Sequence, residues 1–205
     1  MVLQKRKKLL IVNMLSLVLF MLMLVNVVWQ TSLVEVDLWV NSHMDMLRSD
    51  ALVPIVRMVT DINGFVGAAL FFLLVSGIFF WKGWIKEIWF FLFSTLGATA
   101  LFALIKAGVG RSRPVGTVLE ISGYSFPSGH TTMATAMAFA LYFILKEKTT
   151  STVIQFGLLI GALGWALLIA WTRLYLDVHW FTDVIGGVGL GLFWVTLLKL
   201  FFKSA

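Results

Sequence analysis

His179 and Asp183 stand four residues apart at the end of Thr172-Arg173-Leu-Tyr-Leu-Asp-Val-His179-Trp-Phe-Thr-Asp183. On a helix that spacing puts both side chains on one face. A carboxylate beside an imidazole fixes its tautomer and favours the imidazolium. The other ring nitrogen is then free to attack an electrophile. The same pair could equally staple a loop to a helix, and alone it does not separate the two readings.

Pro127-Ser128-Gly129-His130 precedes a run of good helix formers. Ser128 fits an N-cap, and the free amides of the first turn behind it form an anion cradle. Gly129 lets the backbone approach a ligand closely. His130, in that first turn, can give a proton to a leaving group. By itself this segment also reads as an ordinary capped helix with a histidine at the interface.

Lys106, Arg113 and Arg173 complete the set. Arginine offers a planar fork for phosphate oxygens and lysine a point charge. Together they can neutralise the equatorial oxygens of a phosphoryl-transfer transition state. The competing reading is head-group anchoring by snorkelling side chains, and it is the one expected for Arg48, Arg57 and Arg111. Asp177 reads as structural and His43 as a surface residue. Trp171 and Trp180 read as interface anchors.

These residues sit in an otherwise apolar chain. Of 205 residues 60% are hydrophobic and 13% charged, with a net charge of +6. Soluble domains carry about 25% charged residues. The apolar residues come in runs long enough to cross a bilayer. Six spans are expected: 9–29, 65–81, 88–105, 131–145, 153–171 and 184–202. The basic residues flank these runs and are not gathered on one polar face, which argues for topology and against nucleic acid. There is no cysteine, so disulfides, thiolate metal sites and a cysteine nucleophile are excluded. Residues 31–63 mix Glu35, Asp37, Asp45, Asp50 and Asp61 with apolar residues. They read either as one or two amphipathic interfacial helices or as a loop packed on the bundle. If they also border the way in for a lipid, they lie on the side that would suit it. The fold class expected is an all-α, polytopic membrane protein in one domain, 1–205, with six transmembrane helices and short interfacial helices.

With the N-terminus inside, ten basic residues flank the inner ends: Lys5, Arg6, Lys7, Lys8, Lys82, Lys86, Lys146, Lys148, Lys199 and Lys203. Six lie outside: Arg48, Arg57, Lys106, Arg111, Arg113 and Arg173. The positive-inside rule then puts both termini in the cytoplasm. The same topology brings all three chemical segments to the outer face.

Lys106-x6-Arg113-Pro114, Pro127-Ser128-Gly129-His130 and Arg173-x5-His179-x3-Asp183 resemble the three signature motifs of the type 2 phosphatidic acid phosphatase superfamily. Its members include membrane lipid phosphate phosphatases and soluble vanadium haloperoxidases. One departure is Thr172 where serine is usual, which keeps the hydroxyl. The six hydrophobic spans set the haloperoxidase reading aside.

The resemblance implies roles residue by residue. His179 is the nucleophile and forms a phosphohistidine, and Asp183 orients it. His130 protonates the leaving group and then activates water. Lys106, Arg113 and Arg173 hold the phosphate with Ser128 and the Gly129 amide. No metal or other cofactor is implied. The expected partners are the bilayer and a lipid phosphate; the sequence leaves the oligomeric state open. Compact bacterial members of this family act on phosphatidylglycerophosphate, phosphatidic acid and often undecaprenyl pyrophosphate. The resemblance favours the first, in a bacterial cell membrane. An outward-facing site favours the last. A non-catalytic lipid binder or an anion transporter is the remaining alternative, although transporters place their ionisable residues near the bilayer midplane.

Overall fold

A computed structural model of the chain describes residues 2–115, 118–119 and 121–202. Lys203, one of the expected inner cations, lies outside these residues, as does the side chain of Lys5. The described residues form eight helices and no strand. They are α1 (Val2–Trp29), α2 (Leu33–Leu47), α3 (Val53–Asp61), α4 (Phe65–Trp81), α5 (Ile85–Val109), α6 (Gly129–Glu147), α7 (Thr152–Tyr175) and α8 (Phe181–Phe201).

Four helices, α1, α5, α7 and α8, are long and apolar enough to cross a bilayer on their own. The pair α3 and α4 meets the same criterion only when taken together, bent by 46°. The helix α6 is not among them, for a physical reason. It packs against α5, α7 and α8, and it buries Thr131, Thr132 and Thr135. A helix surrounded by protein has less need of an apolar surface than one facing lipid. The periphery is apolar instead, with Leu70, Leu73 and Leu74 on α4 and Ile160 and Leu167 on α7 all exposed.

Two helices carry a cation of the site beyond the end of their expected spans. Hydropathy ends spans three and five at the first charges, but α5 continues through Lys106 and α7 through Arg173. Both cations therefore ride on rigid last turns. The helix α8 packs on α1, α5, α6 and α7. Its Gly187 lets α6 come close: a Cβ there would stand 2.9 Å from the Ser128 carbonyl oxygen. The Ser128 amide donates to the Asp183 carbonyl at 3.0 Å. The starts of α6 and α8 are thus tied together, and with them His130 and Asp183.

Residues 31–63 are two helices packed on the bundle. The helix α2 lies against α7 and α8, and α3 against α7. Asp37 and Val40 of α2 are buried. Asn63, at the α3–α4 break, donates to the His130 carbonyl at 2.9 Å.

Candidate active site

The residues singled out by the sequence gather at one end of the bundle. Lys106 ends α5, and Arg113 follows in the loop. Ser128, Gly129 and His130 begin α6. Arg173 lies in the last turn of α7, His179 in the α7–α8 connection and Asp183 in the first turn of α8.

His179 is 4% exposed. Its Nδ1 lies 3.4 Å from Asp183 Oδ2. The pair does not share a helical face, as the four-residue spacing suggests. His179 precedes the helix, and the Asp183 carboxylate reaches back to it from the third helical position. Oδ2 of the same carboxylate accepts the Trp180 amide at 2.9 Å, as an acid in a first turn commonly does. On the other edge of the imidazole, Arg113 Nη1 lies 3.3 Å from Nε2. A guanidinium can only donate, and a carboxylate at neutral pH can only accept. The two neighbours therefore select one tautomer, with the proton on Nδ1 and the lone pair on Nε2.

Burial holds the His179 pKa well below the usual imidazole range, and the charges of Arg173, Lys106 and Arg113 act the same way. A hydrogen bond to the Ser125 backbone opposes them. Burial therefore favours the neutral ring, the form that could act as a nucleophile.

The cations fall into two sets. Lys106 Nζ donates to the carbonyls of Tyr124 at 2.6 Å and Ser125 at 3.2 Å. Arg113 donates to the carbonyls of Val178 at 2.6 Å, Gly123 at 3.0 Å and Tyr124 at 3.2 Å. Burial lowers its pKa, against the pull of Asp183. Arg173 is 2% exposed, donates from Nη1 to Thr60 Oγ1 at 3.0 Å, and has a buried Nε with no partner. Among the described residues none of these three forms an ion pair with a carboxylate.

Arg111 is the opposite case. Expected to anchor lipid head groups, it instead bridges two carboxylates, Asp37 through Nη2 and Asp183 through Nη1, both at 2.6 Å. Its side chain is only 15% exposed. Arg48 also departs from the anchoring expectation. Its Nε donates to the Tyr175 carbonyl at 2.9 Å, and Nη1 pairs with Asp45 at 2.7 Å. Arg57 remains exposed and lies 3.8 Å from Asp61. Trp180 opens α8, and its indole donates to the Ser112 carbonyl at 3.0 Å. The Thr172 hydroxyl turns back to the Ile169 carbonyl at 2.7 Å, so it takes no part in the site.

The α6 start serves as a cap. Ser128 Oγ accepts the Thr131 amide at 3.5 Å and lies 2.9 Å from Thr131 Oγ1. Gly129 presses on α5, since a Cβ there would stand 2.9 Å from the Phe102 ring. The Gly129 and His130 amides, at the head of the helix, have no intrahelical acceptor.

Two cavities adjoin the site. One of about 420 Å³ is lined by His130, Arg173, Arg57 and Asp61. The other, about 630 Å³ and almost wholly apolar, opens between α4, α6 and α7. Asn63 lines it near His130, and Met137, Leu141 and Leu145 carry it along α6. These three follow His130 at offsets of seven, eleven and fifteen residues, so they continue its helical face.

The PAP2 superfamily profile matches residues 87–205. Phosphatidylglycerophosphatase B of Bacillus subtilis is 29% identical over 194 residues, covering 91% of this chain and 93% of the relative. A putative undecaprenyl-diphosphatase of Escherichia coli is 41% identical over 68 residues, covering 33% of this chain and 30% of the relative. The crystal structure of the transmembrane PAP2-type phosphatidylglycerolphosphate phosphatase from Bacillus subtilis superposes with a TM-score of 0.77 at 26% identity, covering 91% of this chain and 94% of that one. The chain therefore belongs to the PAP2 superfamily.

Proposed function

We propose that this chain is an integral-membrane lipid phosphate phosphatase working through a phosphohistidine at His179. One observation carries the reading. A neutral histidine, its tautomer fixed from both edges, sits among Lys106, Arg113 and Arg173, none of which has a carboxylate partner among the described residues. Arg111 with its two aspartates adds one negative charge, so the cluster keeps a net charge of +2. That complements a phosphomonoester dianion.

In the first step His179 Nε2 attacks phosphorus and a P–N bond forms as the bond to the lipid oxygen breaks. His130 gives its proton to that oxygen. In the second step His130 takes a proton from water, the resulting hydroxide attacks phosphorus, the P–N bond breaks and inorganic phosphate leaves. Lys106, Arg113 and Arg173, with the amides at the start of α6, carry the charge that builds on the equatorial oxygens. Asp183 supports the positive charge that develops on His179. No step calls on a metal ion.

The lipid tail occupies the apolar cavity between α4, α6 and α7. From His130 to Leu145 is about 22 Å at 1.5 Å per residue. One leaflet of hydrocarbon is about 15 Å, so the groove is long enough for a tail whose head group lies at His130. The site faces outward, both termini are cytoplasmic, and the whole chain works as one catalytic domain.

Phosphatidylglycerophosphate is the preferred substrate, with phosphatidic acid accepted, because the relative matched over most of both chains acts on the former by name. Undecaprenyl pyrophosphate is the second reading, supported by the Escherichia coli relative. Phosphate release by purified protein in detergent and chelator, from all three lipids in parallel, tests this. Release that His179→Ala abolishes is expected, fastest from phosphatidylglycerophosphate. No release from any of the three would overturn the reading.

A further inference from the structure

Asp37 stands fifty residues before the first position matched by the family profile, yet its carboxylate enters the hydrogen-bond network of Asp183. Asp37 is 2% exposed. Its Oδ1 accepts the Thr182 amide at 2.8 Å, and its Oδ2 accepts the Thr182 hydroxyl at 2.8 Å. Arg111 Nη2 donates to that same Oδ2 while Nη1 reaches Thr182 Oγ1 at 2.7 Å and Asp183 Oδ1 at 2.6 Å. The four groups close a ring across α2, the α5–α6 loop and α8.

Each bond in the ring bears on His179. Asp183 has two oxygens. Oδ2 serves the Trp180 amide and the histidine, and Oδ1 is held by Arg111. A carboxylate held at Oδ1 cannot rotate away from Nδ1, and the 3.4 Å contact with His179 depends on that orientation. Arg111 is in turn fixed by Asp37 and by the Trp180 ring, 5.6 Å from its guanidinium carbon. Asp37 also satisfies a first-turn amide of α8, a task that usually falls to a residue of the same helix.

We infer that Arg111 and Asp37 are positioning residues for the reaction: they act through Asp183 to hold His179 in its attacking orientation, and α2 is a structural part of the active site. Neither touches the phosphate. Arg111 is thereby separated from Lys106, Arg113 and Arg173, whose charges remain free for substrate. The inference rests on the phosphatase reading above.

The test measures kcat, KM and orthovanadate binding for Arg111→Met, Asp37→Asn and the double variant. Each is normalised to monodisperse folded protein in detergent, with His179→Ala alongside. Arg111→Met is expected to lower kcat about 100-fold, less than the loss of the orienting carboxylate itself and in the range for losing an outer partner that orients it, while KM and vanadate affinity stay within about twofold. Asp37→Asn is expected to lower kcat about tenfold with the same split. Because both act along one route, the double variant should be no slower than Arg111→Met alone, within about twofold. Arg111→Lys should recover only part of the rate, since an ammonium cannot span both carboxylates in the same plane.

An unchanged kcat in Arg111→Met would overturn the inference. So would a loss carried by KM and vanadate affinity, which would make Arg111 a phosphate ligand. Losses that multiply in the double variant would overturn the coupling through Asp37. If Arg111→Met does not fold, Asp37→Asn alone decides by the same split. Activity surviving in His179→Ala would instead sink the reading of His179 as the nucleophile, and the two failures are thereby distinct.

Discussion

Arg113 Nη1 lies 3.3 Å from His179 Nε2, on the edge of the imidazole away from Asp183. The guanidinium therefore sits on the lone pair of Nε2. Under the proposed mechanism an arriving phosphate would exchange partners with this pair, its oxygens taking the arginine and the freed nitrogen facing phosphorus. Arg113 would then align the nucleophile before substrate arrives and bind the substrate afterwards.

Arg113→Ala should raise KM and weaken orthovanadate inhibition together, by about 10- to 100-fold. A hydrogen bond to a charged group contributes about 1.5–3 kcal/mol. Arg113→Lys should not restore the affinity, because the fork is lost. Vanadate inhibition constants measured on both variants check this. An unchanged constant in Arg113→Ala would remove Arg113 from the phosphate site.

The depressed pKa of His179 sets a pH dependence. The free imidazole titrates near 6.5, but the buried ring stays neutral well below that, because burial and three nearby cations oppose its charging. The phosphorylation step, followed by single turnover, should therefore lose no rate to His179 protonation as pH falls through about 6.5, while a loss toward alkaline pH would report His130, the proton donor of that step. As pH falls below about 6.5 the unfolded chain takes up a proton that the folded chain refuses, so stability should decline on the acid side. A phosphorylation rate that halves as pH falls through about 6.5 would contradict the assignment of a neutral nucleophile.

Much of the site was legible because its chemistry is local in sequence. His179 and Asp183 announce each other at four residues, and Ser128 announces the start of α6. What sequence could not show was distance. Arg111 reads as an anchor because its carboxylates are 74 and 72 residues away. Asp37 reads as the polar face of an amphipathic segment because its partners lie 74 and 145 residues on. Four of the six expected spans, 9–29, 88–105, 153–171 and 184–202, fall on helices long and apolar enough to cross a bilayer alone, and 65–81 does so only together with α3. They were truncated at Lys106 and Arg173, where hydropathy falls but the backbone hydrogen bonds continue. The helix α6, expected as a span over 131–145, falls short of that criterion because its buried threonines and the charged residues at its ends lower its hydropathy.

The apolar cavity offers a test that leaves the chemistry untouched. Gly157 and Gly161 line it, and a Cβ added at either would meet nothing within 4 Å. Gly161→Leu should fill the groove without strain, and helix propensity favours the change. Turnover of a long-chain lipid phosphate should fall at least tenfold in kcat/KM, while a short water-soluble phosphate ester should react within about twofold of the parent. Equal effects on both substrates would mean that the tail does not lie there.

Asp177 joins α2 to the end of α7, accepting a hydrogen bond from Asn41. Burial, helped by Asp45 and opposed by Arg48 and Asn41, raises its pKa to about 6. A carboxyl raised in the folded state adds stability below its unfolded pKa of about 3.9, and that stability is lost as pH rises through about 6. Asp177→Asn keeps an acceptor for Asn41 and suits the positive φ of 54° at this position, which asparagine tolerates well. Its Tm should exceed that of the parent at pH 8, and the gap should close as pH is lowered to about 4. A gap independent of pH would refute the ionisation argument.

The proposed mechanism places a phosphoryl group on one nitrogen of His179. Purified protein would be mixed with phosphatidylglycerophosphate in chelator, quenched in alkali within a turnover and mapped by mass spectrometry. Phosphate is expected on the peptide containing residue 179, labile to acid, accumulating when His130→Ala slows its hydrolysis and absent in His179→Ala. Phosphate release that continues in His179→Ala, or label on any other residue, would contradict that mechanism.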